Sequence, residues 1–226
     1  LEGFLDLSAY GGKYKDSFNQ STRDIVAALE WIHSNIANFG GDPNNVTIFG
    51  QSGGAAKIIT LMAVPSAKGL FHKAILQSGA TEDSGMTLTP QDTSRYVTEL
   101  TLKNLGISPE EVDKIRDVPY AEFAAASNKA LTQVAEERNI INALGARSLM
   151  WCPVDDGSFI TETPAETKFT DTGKDVTVMV GSVLNEWVSM PLLANMAVTQ
   201  SDNKNVWDDA KVDAMLKEKY GDKSDK

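Results

Sequence analysis

The sequence predicts an α/β fold built on a doubly wound, mostly parallel sheet. Helical and strand patterns alternate between residues 22 and 77, which is the order expected when helices connect parallel strands. The strand patterns are short, apolar and free of charge, as in strands that are buried on both faces. A glycine-rich turn also joins one of these strands directly to a helix.

The N-terminal part of the chain is expected to hold a loop and then a helix. Residues 1–20 begin with an apolar stretch and become polar and rich in Gly and Lys, which is typical of a strand end followed by a loop. Apolar residues then recur at helical spacing over 25–36. This spacing predicts a helix over 22–38, and the Gly-Gly-Asp-Pro run that starts at Gly40 ends it.

Three short apolar segments are the predicted strands. Val46–Phe49 and Ala74–Gln77 stand on either side of a helix expected over 55–64. The pattern returns at 176–180, where three of the five residues are valine. β-branched side chains favour an extended backbone, and the absence of charge favours burial within a parallel sheet.

The stretch 84–150 has a different character. Helix formers dominate it, and no strand pattern occurs between residues 90 and 150. Pro90 and Pro109 each stand where proline favours the start of a helix. We interpret 84–150 as a helical insertion that lies over the sheet.

Composition excludes several classes of function. A net charge of −10 over 226 residues disfavours a nucleic-acid surface, because phosphate binding needs clustered Lys and Arg. Cys152 is the only cysteine, so no disulfide can form within the chain. No apolar run approaches the about 20 residues of a membrane span, and no dinucleotide, P-loop or metal-ligand spacing occurs. We therefore expect no nucleic-acid partner, no membrane span, no metal and no cofactor.

The glycine-rich turn matches a known catalytic pattern. Gly50-Gln-Ser52-Gly53-Gly54 has the form G-x-S-x-G of the nucleophile elbow. A strand that turns into a helix within one residue brings backbone segments close together, and glycine at the flanking positions is expected to avoid Cβ clashes. The serine hydroxyl then projects above the sheet, and the backbone N–H of Gly53 can donate to an oxyanion. Ser52 is the predicted catalytic nucleophile and Gly53 the predicted oxyanion-hole donor.

Longer segments around this turn resemble the type-B carboxylesterase family, whose members are cholinesterase-like. The resemblance lies in Ala28–Ile36, Phe39–Gly54, Gly69–Gly79 and Pro153–Gly157. It implies the α/β-hydrolase fold, with residues 1–226 forming part of one catalytic domain. The family often has Glu in place of Gln51 and Ala in place of Gly53, and the Gln-Ser-Gly-Gly variant resembles bacterial members. Because the oxyanion donor is a backbone N–H, Gly53 is expected to serve as well as Ala.

The catalytic acid should follow the serine in sequence, in the loop after a later strand. Glu186 follows the predicted strand 176–180, and the segment 181–186 is similar to the family's Gly-Thr-x-x-x-Glu segment. The resemblance therefore implies Glu186 as the acid that orients a catalytic histidine. Three further residues are expected to support the site: Gln51 beside the nucleophile, Asn185 as a residue that orients Glu186, and Ser78 as a hydrogen-bonding group near the acid or a buried turn serine.

The general base is missing from the sequence. His33 and His72 are the only histidines, and both precede Glu186, whereas the expected order places the histidine after the acid. The resemblance implies that the catalytic histidine follows Lys226 and that a glycine run for the oxyanion precedes Leu1. The chain begins with Leu rather than Met, so we expect the true N-terminus to lie elsewhere, and cellular location stays open.

These observations favour a carboxylic-ester hydrolase that works through an acyl-enzyme on a small-molecule ester. Its site would be completed by the remaining segments of the same hydrolase domain. One alternative is a non-catalytic, cholinesterase-like scaffold or adhesion protein, but such proteins usually lose the nucleophile and Ser52 is intact. Another is that the chain alone is an inactive fragment, or one chain of a split esterase.

Overall fold

A computed structural model describes most of the chain. The described residues are 2–79, 88–141, 147–161, 170–183, 186 and 207–221. They fall into two compact units, Leu1–Gly181 and Ser182–Lys226. The first unit holds the sheet and the predicted nucleophile, and the second holds Glu186.

The first unit contains the predicted helices and strands and two further short strands. Its helices are α1 (Gln20–Asn35), α2 (Gly53–Leu61), α3 (Gln91–Leu105) and α4 (Tyr120–Glu137). Its strands are β1 (Thr47–Gln51), β2 (Lys73–Gln77), β3 (Thr89–Pro90), β4 (Val154–Asp155) and β5 (Thr177–Gly181). A 3-10 helix prolongs α1 as far as Phe39, and Gly40 ends it with a left-handed φ of 82°.

Three of the strands form the parallel sheet that the sequence predicts. Their order is β1-β2-β5, and both pairings are parallel. The register places Phe49 beside Ile75 and Ile75 beside Met179. Parallel neighbours need a crossover connection, and α2 lies in the connection from β1 to β2. The predicted α/β class is confirmed.

The largest hydrophobic core lies between one face of this sheet and helices α1 and α2. Its buried side chains include Val26 and Leu29 of α1, Ile58 and Leu61 of α2, and Ala74 and Leu76 of β2. In β2 burial alternates along the strand, since Ala74 and Leu76 are buried while Lys73 and Gln77 are exposed. Because strand side chains alternate between faces, this core rests on one face of the sheet only.

The expectation of buried strands is met on one face only. Phe49 of β1 is 77% exposed and Met179 of β5 is 66% exposed. Both side chains point away from the core that α1 and α2 cover. The apolar pattern correctly predicted strands, but none of the described residues buries these side chains on the second face.

The expectation of a strand end and a loop over residues 1–20 is also wrong in part. This segment consists largely of short 3-10 helices, at Glu2–Phe4, Ser8–Tyr10, Gly12–Tyr14 and Ser17–Asn19. Side chains satisfy its backbone locally. The hydroxyl oxygen of Ser17 accepts the N–H of Leu7 at 2.8 Å, and the buried Asp6 carboxylate accepts the N–H of Ser8 at 2.9 Å. Backbone groups that already have local partners do not need a neighbouring strand.

Two long helices dominate the region after β2. Helices α3 and α4 pack together around Val97, Leu100, Ala130, Leu131 and Val134. Two short strands flank this helical pair in sequence, β3 before α3 and β4 after α4. They pair in parallel over two residues, with Thr89 of β3 beside Val154 of β4. The sequence did not predict this ladder, because two residues are too few to give a strand pattern.

One buried side chain anchors the short ladder to the start of α1. The amide nitrogen of Asn19 donates to the carbonyl oxygen of Val154 at 2.9 Å, and its amide oxygen accepts the N–H of Val154 at 2.9 Å. Asn19 is fully buried. Its side chain therefore replaces the backbone of a neighbouring strand at this position, since both polar groups of Val154 need a partner once buried.

The described part of the second unit contains helix α5 (Asp209–Tyr220). The carboxylate of Asp208 caps this helix by accepting the N–H of Lys211 at 2.9 Å. Across the described ranges of both units, none of the helices combines the length and the apolar character that crossing a membrane would require.

Candidate active site

Ser52 stands at a sharp corner between β1 and α2. Its backbone has φ 52° and ψ −119°, in the region that residues with a side chain rarely adopt. The strand ends one residue before it, and the helix begins one residue after it. The side chain is exposed and does not cap the helix. The predicted elbow thus presents its hydroxyl at the surface of the described structure, as a nucleophile requires.

Glycine at position 50 is required by this corner. A Cβ on Gly50 would lie 2.4 Å from the carbonyl carbon and 2.6 Å from the carbonyl oxygen of Gly54. Contacts this short with backbone atoms cannot be relieved by a rotamer change. The same expectation for Gly54 is wrong, because a Cβ there would meet none of the described atoms within 4 Å. The close approach involves the backbone of Gly54 rather than the space beside its Cα.

The neighbouring strand ends in a second corner of similar form. Ser78 follows β2 directly and has a φ of 50°. The N–H of Ser52 donates to the carbonyl oxygen of Gln77 at 2.8 Å, and the N–H of Ser78 donates to that of Gly181 at 2.8 Å. Each serine therefore adds one backbone hydrogen bond to the pairing of its strand. The chain then turns away from the sheet.

Gly79 lies against the corner at Ser52, a contact that was not predicted from the sequence. A Cβ on Gly79 would lie 2.3 Å from the carbonyl oxygen of Ser52 and 2.9 Å from the Cβ of Ala55. The sequence did hold a signal for this contact. The tripeptide Gln-Ser-Gly occurs at 51–53 and again at 77–79, and the register pairs the two glutamines.

The start of α2 carries positive electrostatic potential. Gly53 is the first residue of this helix, so its N–H has no partner within the helix and lies at the positive end of the helix dipole. Lys57, which is exposed, adds a full charge nearby, and its Nζ lies 3.4 Å from the carbonyl oxygen of Gly53. Among the described residues Lys57 makes no ion pair, so its charge is not neutralised by a neighbouring carboxylate.

The single thiol of the chain is not suited to act as a nucleophile. Cys152 is buried, and this burial raises the pKa of its thiol, although the Lys57 charge opposes the effect. A thiol with a raised pKa carries little thiolate at neutral pH. Ser52 is thus the better candidate.

The supporting residues occupy different places. Gln51 is the exposed last residue of β1, and Ser78 is half-buried at the end of β2, so both lie at the carboxyl edge of the sheet with Ser52. Glu186 is half-buried in the second unit, where its carboxylate accepts the N–H of Val183 at 3.0 Å. Asn185 lies outside the described residues. The pairing of Ser52 with Glu186 and the roles of the supporting residues stay predictions.

Neither histidine has the geometry of a catalytic base. His33 is exposed on α1. His72 is half-buried just before β2, and its Nδ1 accepts the N–H of Val46 at 3.3 Å. The backbone of His72 also bonds in the sheet region, because its carbonyl oxygen accepts the N–H of Thr177 at 3.0 Å. The ring and the backbone of His72 therefore link neighbouring strands where these strands begin, at the edge of the sheet opposite to Ser52.

Solved structures with a similar fold identify the class of protein. An esterase from Clostridium hathewayi, described as able to hydrolyse aliphatic aromatic polyesters, matches with a TM-score of 0.70 and 38% sequence identity over 96% of this chain and 39% of its own. A thermophilic para-nitrobenzyl esterase matches with a TM-score of 0.66 and 28% identity over 96% of this chain and 40% of its own. The fold of this chain is thus part of an α/β-hydrolase fold.

Sequence comparison gives the family. The family model described as "Carboxylesterase family" matches residues 3–226. Para-nitrobenzyl esterase of Bacillus subtilis is 34% identical over 184 residues, which cover 81% of this chain and 35% of that protein. Cholinesterase 1 of Branchiostoma lanceolatum is 36% identical over 187 residues, covering 81% of this chain and 50% of that protein. The chain belongs to the type-B carboxylesterase family, and it spans between about a third and a half of the length of these relatives.

Proposed function

We propose that this chain provides the nucleophile for the hydrolysis of carboxylic esters. The observation that carries the proposal is the corner at Ser52, where a positive φ, a close-packed glycine and an exposed hydroxyl coincide between a strand and a helix. Such strain persists only where the surrounding structure enforces it, and it is common at catalytic residues. Membership of the carboxylesterase family supports the same chemistry.

The reaction proceeds in two similar halves. The Ser52 oxygen attacks the ester carbonyl carbon while a base takes the hydroxyl proton, and the carbonyl oxygen becomes an oxyanion. The intermediate collapses, the bond from carbonyl carbon to alcohol oxygen breaks, and the departing alcohol takes the proton from the base. Water then attacks the acyl-enzyme in the same way, which releases the acid and restores Ser52.

In this proposal the backbone N–H of Gly53 stabilises the oxyanion of both tetrahedral intermediates. Its N–H stands at the start of α2, one residue from the nucleophile. A fixed backbone donor of this kind typically contributes about 3 kcal/mol to the stability of the transition state. Lys57, which forms no ion pair with another described residue, lies in the same helix, and its charge adds to the positive potential there.

The base is a histidine that lies outside residues 1–226, and Glu186 is the carboxylate that orients it. His33 is exposed on α1, and His72 uses its ring nitrogen to accept a backbone N–H. Neither follows Glu186 in sequence. The remaining segments of the same hydrolase domain would therefore supply the base and a further oxyanion donor. The substrate class is a carboxylic ester, and the polyester-hydrolysing neighbour makes short aromatic and aliphatic esters suitable first substrates.

The decisive experiment removes the nucleophile from the polypeptide that carries this chain within a complete esterase domain. Ser52→Ala is expected to lower kcat/KM for a short-chain nitrophenyl ester by at least about a thousandfold, because the acyl-enzyme cannot form. Ser34→Ala, which alters an exposed serine on α1, is the matched control and should leave kcat/KM unchanged. Equal activity of the wild-type and Ser52→Ala proteins would refute the assignment.

A covalent probe separates the hydrolase from a non-catalytic scaffold. A fluorophosphonate reacts with an activated serine and should label the complete domain at Ser52 and no other serine. A scaffold with the same fold would show no labelling above that of the Ser52→Ala protein.

A further inference from the structure

Lys57 is the one charged residue of helix α2. The helix has the sequence Gly-Gly-Ala-Ala-Lys-Ile-Ile-Thr-Leu over Gly53–Leu61, and Lys57 is also its only exposed residue. The other polar side chain, that of Thr60, is buried and donates to the carbonyl oxygen of Ala56 at 3.0 Å. Helices that are apolar on nearly all sides lie in the interior of proteins, so a full charge on α2 needs a partner of opposite charge.

The side chain of Lys57 turns its ammonium group toward the start of α2. Its Nζ lies 3.4 Å from the carbonyl oxygen of Gly53. The backbone bonds between the oxygen and the nitrogen of one residue add up to about 4.2 Å, so Nζ lies within about 8 Å of the Gly53 nitrogen. Gly53 follows Ser52 directly. An ester whose carbonyl oxygen accepts the Gly53 N–H therefore reaches Lys57 with a group a few carbon atoms away.

None of the described residues supplies the opposite charge. Lys57 forms no ion pair with a described carboxylate, and its Nζ contacts a backbone oxygen instead. The last residues of β1 and β2, beside the proposed nucleophile, are Gln51 and Gln77, which are neutral. In the proposed mechanism Glu186 is engaged by the catalytic histidine. The described residues therefore favour a bound anion as the partner of Lys57.

We infer that the ester substrate carries a carboxylate a few carbon atoms from the reacting carbonyl, and that Lys57 binds this carboxylate. The inference rests on the proposed function and names the substrate class of that site. A half-ester of a dicarboxylic acid, such as monoethyl adipate, has this chemistry. A charge-assisted hydrogen bond from the ammonium group holds the end of the acyl chain, while the ester carbonyl oxygen accepts the N–H of Gly53. The same charge disfavours esters that carry a cationic group.

Two esters that differ in charge test the inference. Monoethyl adipate and ethyl heptanoate have acyl chains of similar length, but only the first ends in a carboxylate. In the complete esterase domain that carries this chain, Lys57→Met should lower the ratio of kcat/KM for the adipate ester to kcat/KM for the heptanoate ester at least tenfold. The ratio cancels any effect of Lys57 on the oxyanion, because both esters form the same oxyanion. Lys57→Arg should retain most of the ratio. Lys129→Met, on the exposed side of α4, is the matched control and should leave it unchanged.

Two further readouts distinguish binding of the carboxylate from a structural role of Lys57. The loss for monoethyl adipate should lie in KM rather than in kcat, because a contact far from the reacting carbonyl is made equally in the ground state and the transition state. High salt should lower the ratio in the wild-type protein, because it screens the ion pair, and should not change it in Lys57→Met. A residue that only supported the fold would lower kcat/KM for both esters alike.

Two kinetic results would overturn the inference. An equal ratio in the wild-type and Lys57→Met proteins would show that Lys57 does not contact the substrate. A constant ratio together with a large loss of stability in Lys57→Met would show that a carboxylate from the remaining segments of the domain pairs with this lysine.

Calorimetric titration separates this inference from the proposed function, because binding needs no turnover. The Ser52→Ala protein should bind monoethyl adipate, and the further change Lys57→Met should weaken this binding at least tenfold. Equal binding by the two proteins would refute the role of Lys57 even where Ser52→Ala abolishes hydrolysis. Full activity of Ser52→Ala would refute the proposed function, while the difference in binding would still report on Lys57.

Discussion

The backbone N–H of Ser52 donates to the carbonyl oxygen of Gln77 at 2.8 Å. This bond joins the proposed nucleophile to the last residue of the neighbouring strand. The position of the nucleophile therefore depends on how β2 ends as well as on its own strand. A change in the corner after β2 should reach Ser52 through the backbone, without any contact to its side chain.

Gly79→Ala is expected to displace the nucleophile. The new Cβ would lie 2.3 Å from the carbonyl oxygen of Ser52, so backbone must move, at a cost of about 1–3 kcal/mol. In the complete domain kcat should fall by at least about tenfold, because displacements of about 1 Å are costly for catalysis. Gly181→Ala, where a Cβ meets none of the described atoms within 4 Å, is the control. Unchanged kcat in Gly79→Ala would show that the contact does not position Ser52.

The two glycines of the elbow should respond differently to alanine. Gly50→Ala places a Cβ 2.4 Å from the carbonyl carbon of Gly54 and should lower both stability and activity. Gly54→Ala adds a methyl group in open space within α2 and should stabilise the helix by up to about 1 kcal/mol. Urea unfolding of both variants of the chain shows which of the two is less stable. A larger loss for Gly54→Ala than for Gly50→Ala would contradict the geometry described above.

Asn19→Ala should be among the more destabilising single changes. It leaves both the N–H and the carbonyl oxygen of Val154 without their partners at 2.9 Å in a buried place. Each orphaned group costs about 1–3 kcal/mol, so the free energy of unfolding should fall by about 2–4 kcal/mol. Asn35→Ala, which removes an exposed hydrogen bond to Trp31, should cost less than about 1 kcal/mol. Similar losses in the two variants would argue against the anchoring role of Asn19.

Low pH should destabilise the loop that follows β4, because it protonates the carboxylate of Asp156. Burial alone would raise the pKa of this carboxyl, but the N–H groups of Ile160 and Phe159 and the hydroxyl of Ser158 donate to the carboxylate, and the net pKa lies below its ordinary value of 3.8. A lowered pKa in the folded state stabilises the fold above pH 3.8, and this contribution is lost as pH falls through the lowered pKa. Asp156→Asn should therefore be less stable than wild type at pH 7, and the difference should shrink as the pH falls below 3.8.

Asp171 is expected to contribute less to stability than Asp156 when both are measured over the same range of pH. The ammonium groups of Lys174 and Lys68 lower its pKa to about 2, but all three side chains are exposed. Surface pairs of this kind contribute little and are screened by salt. Asp171→Asn should therefore change the unfolding midpoint less than Asp156→Asn, and 1 M NaCl should abolish the difference from wild type for Asp171 only.

The 226-residue chain alone is expected to show no ester hydrolysis above the buffer rate. The Ser52 hydroxyl needs a base, and neither His33 nor His72 is placed to serve as one. A spectrophotometric assay with a nitrophenyl ester at high protein concentration checks this. Turnover well above buffer that disappears in Ser52→Ala would show that a base lies within the chain, and the proposal of an external histidine would then be wrong.

Local patterns in the sequence were enough for the helices, the parallel strands and the corner at Ser52. Helix α1 was predicted because apolar residues recur every three to four positions, and β5 because valines cluster between turn residues. The 3-10 helices before α1 were missed. Their backbone is satisfied by Ser17 and Asp6 at distances of two to ten residues, and such side-chain bonds leave no periodic signal.

The sequence by itself determined the class of fold, the elbow pattern around Ser52 and the lack of a histidine between residues 187 and 226, because each of these depends on residue type and order along the chain. The tertiary structure decided which glycines are sterically required and which face of the sheet is bare. Gly79, after β2, lies against the carbonyl oxygen of Ser52, after β1, and Phe49 lies on the face of the sheet that α1 and α2 do not cover. Contacts of this kind join residues that are distant in sequence, so they exist only once the chain has folded.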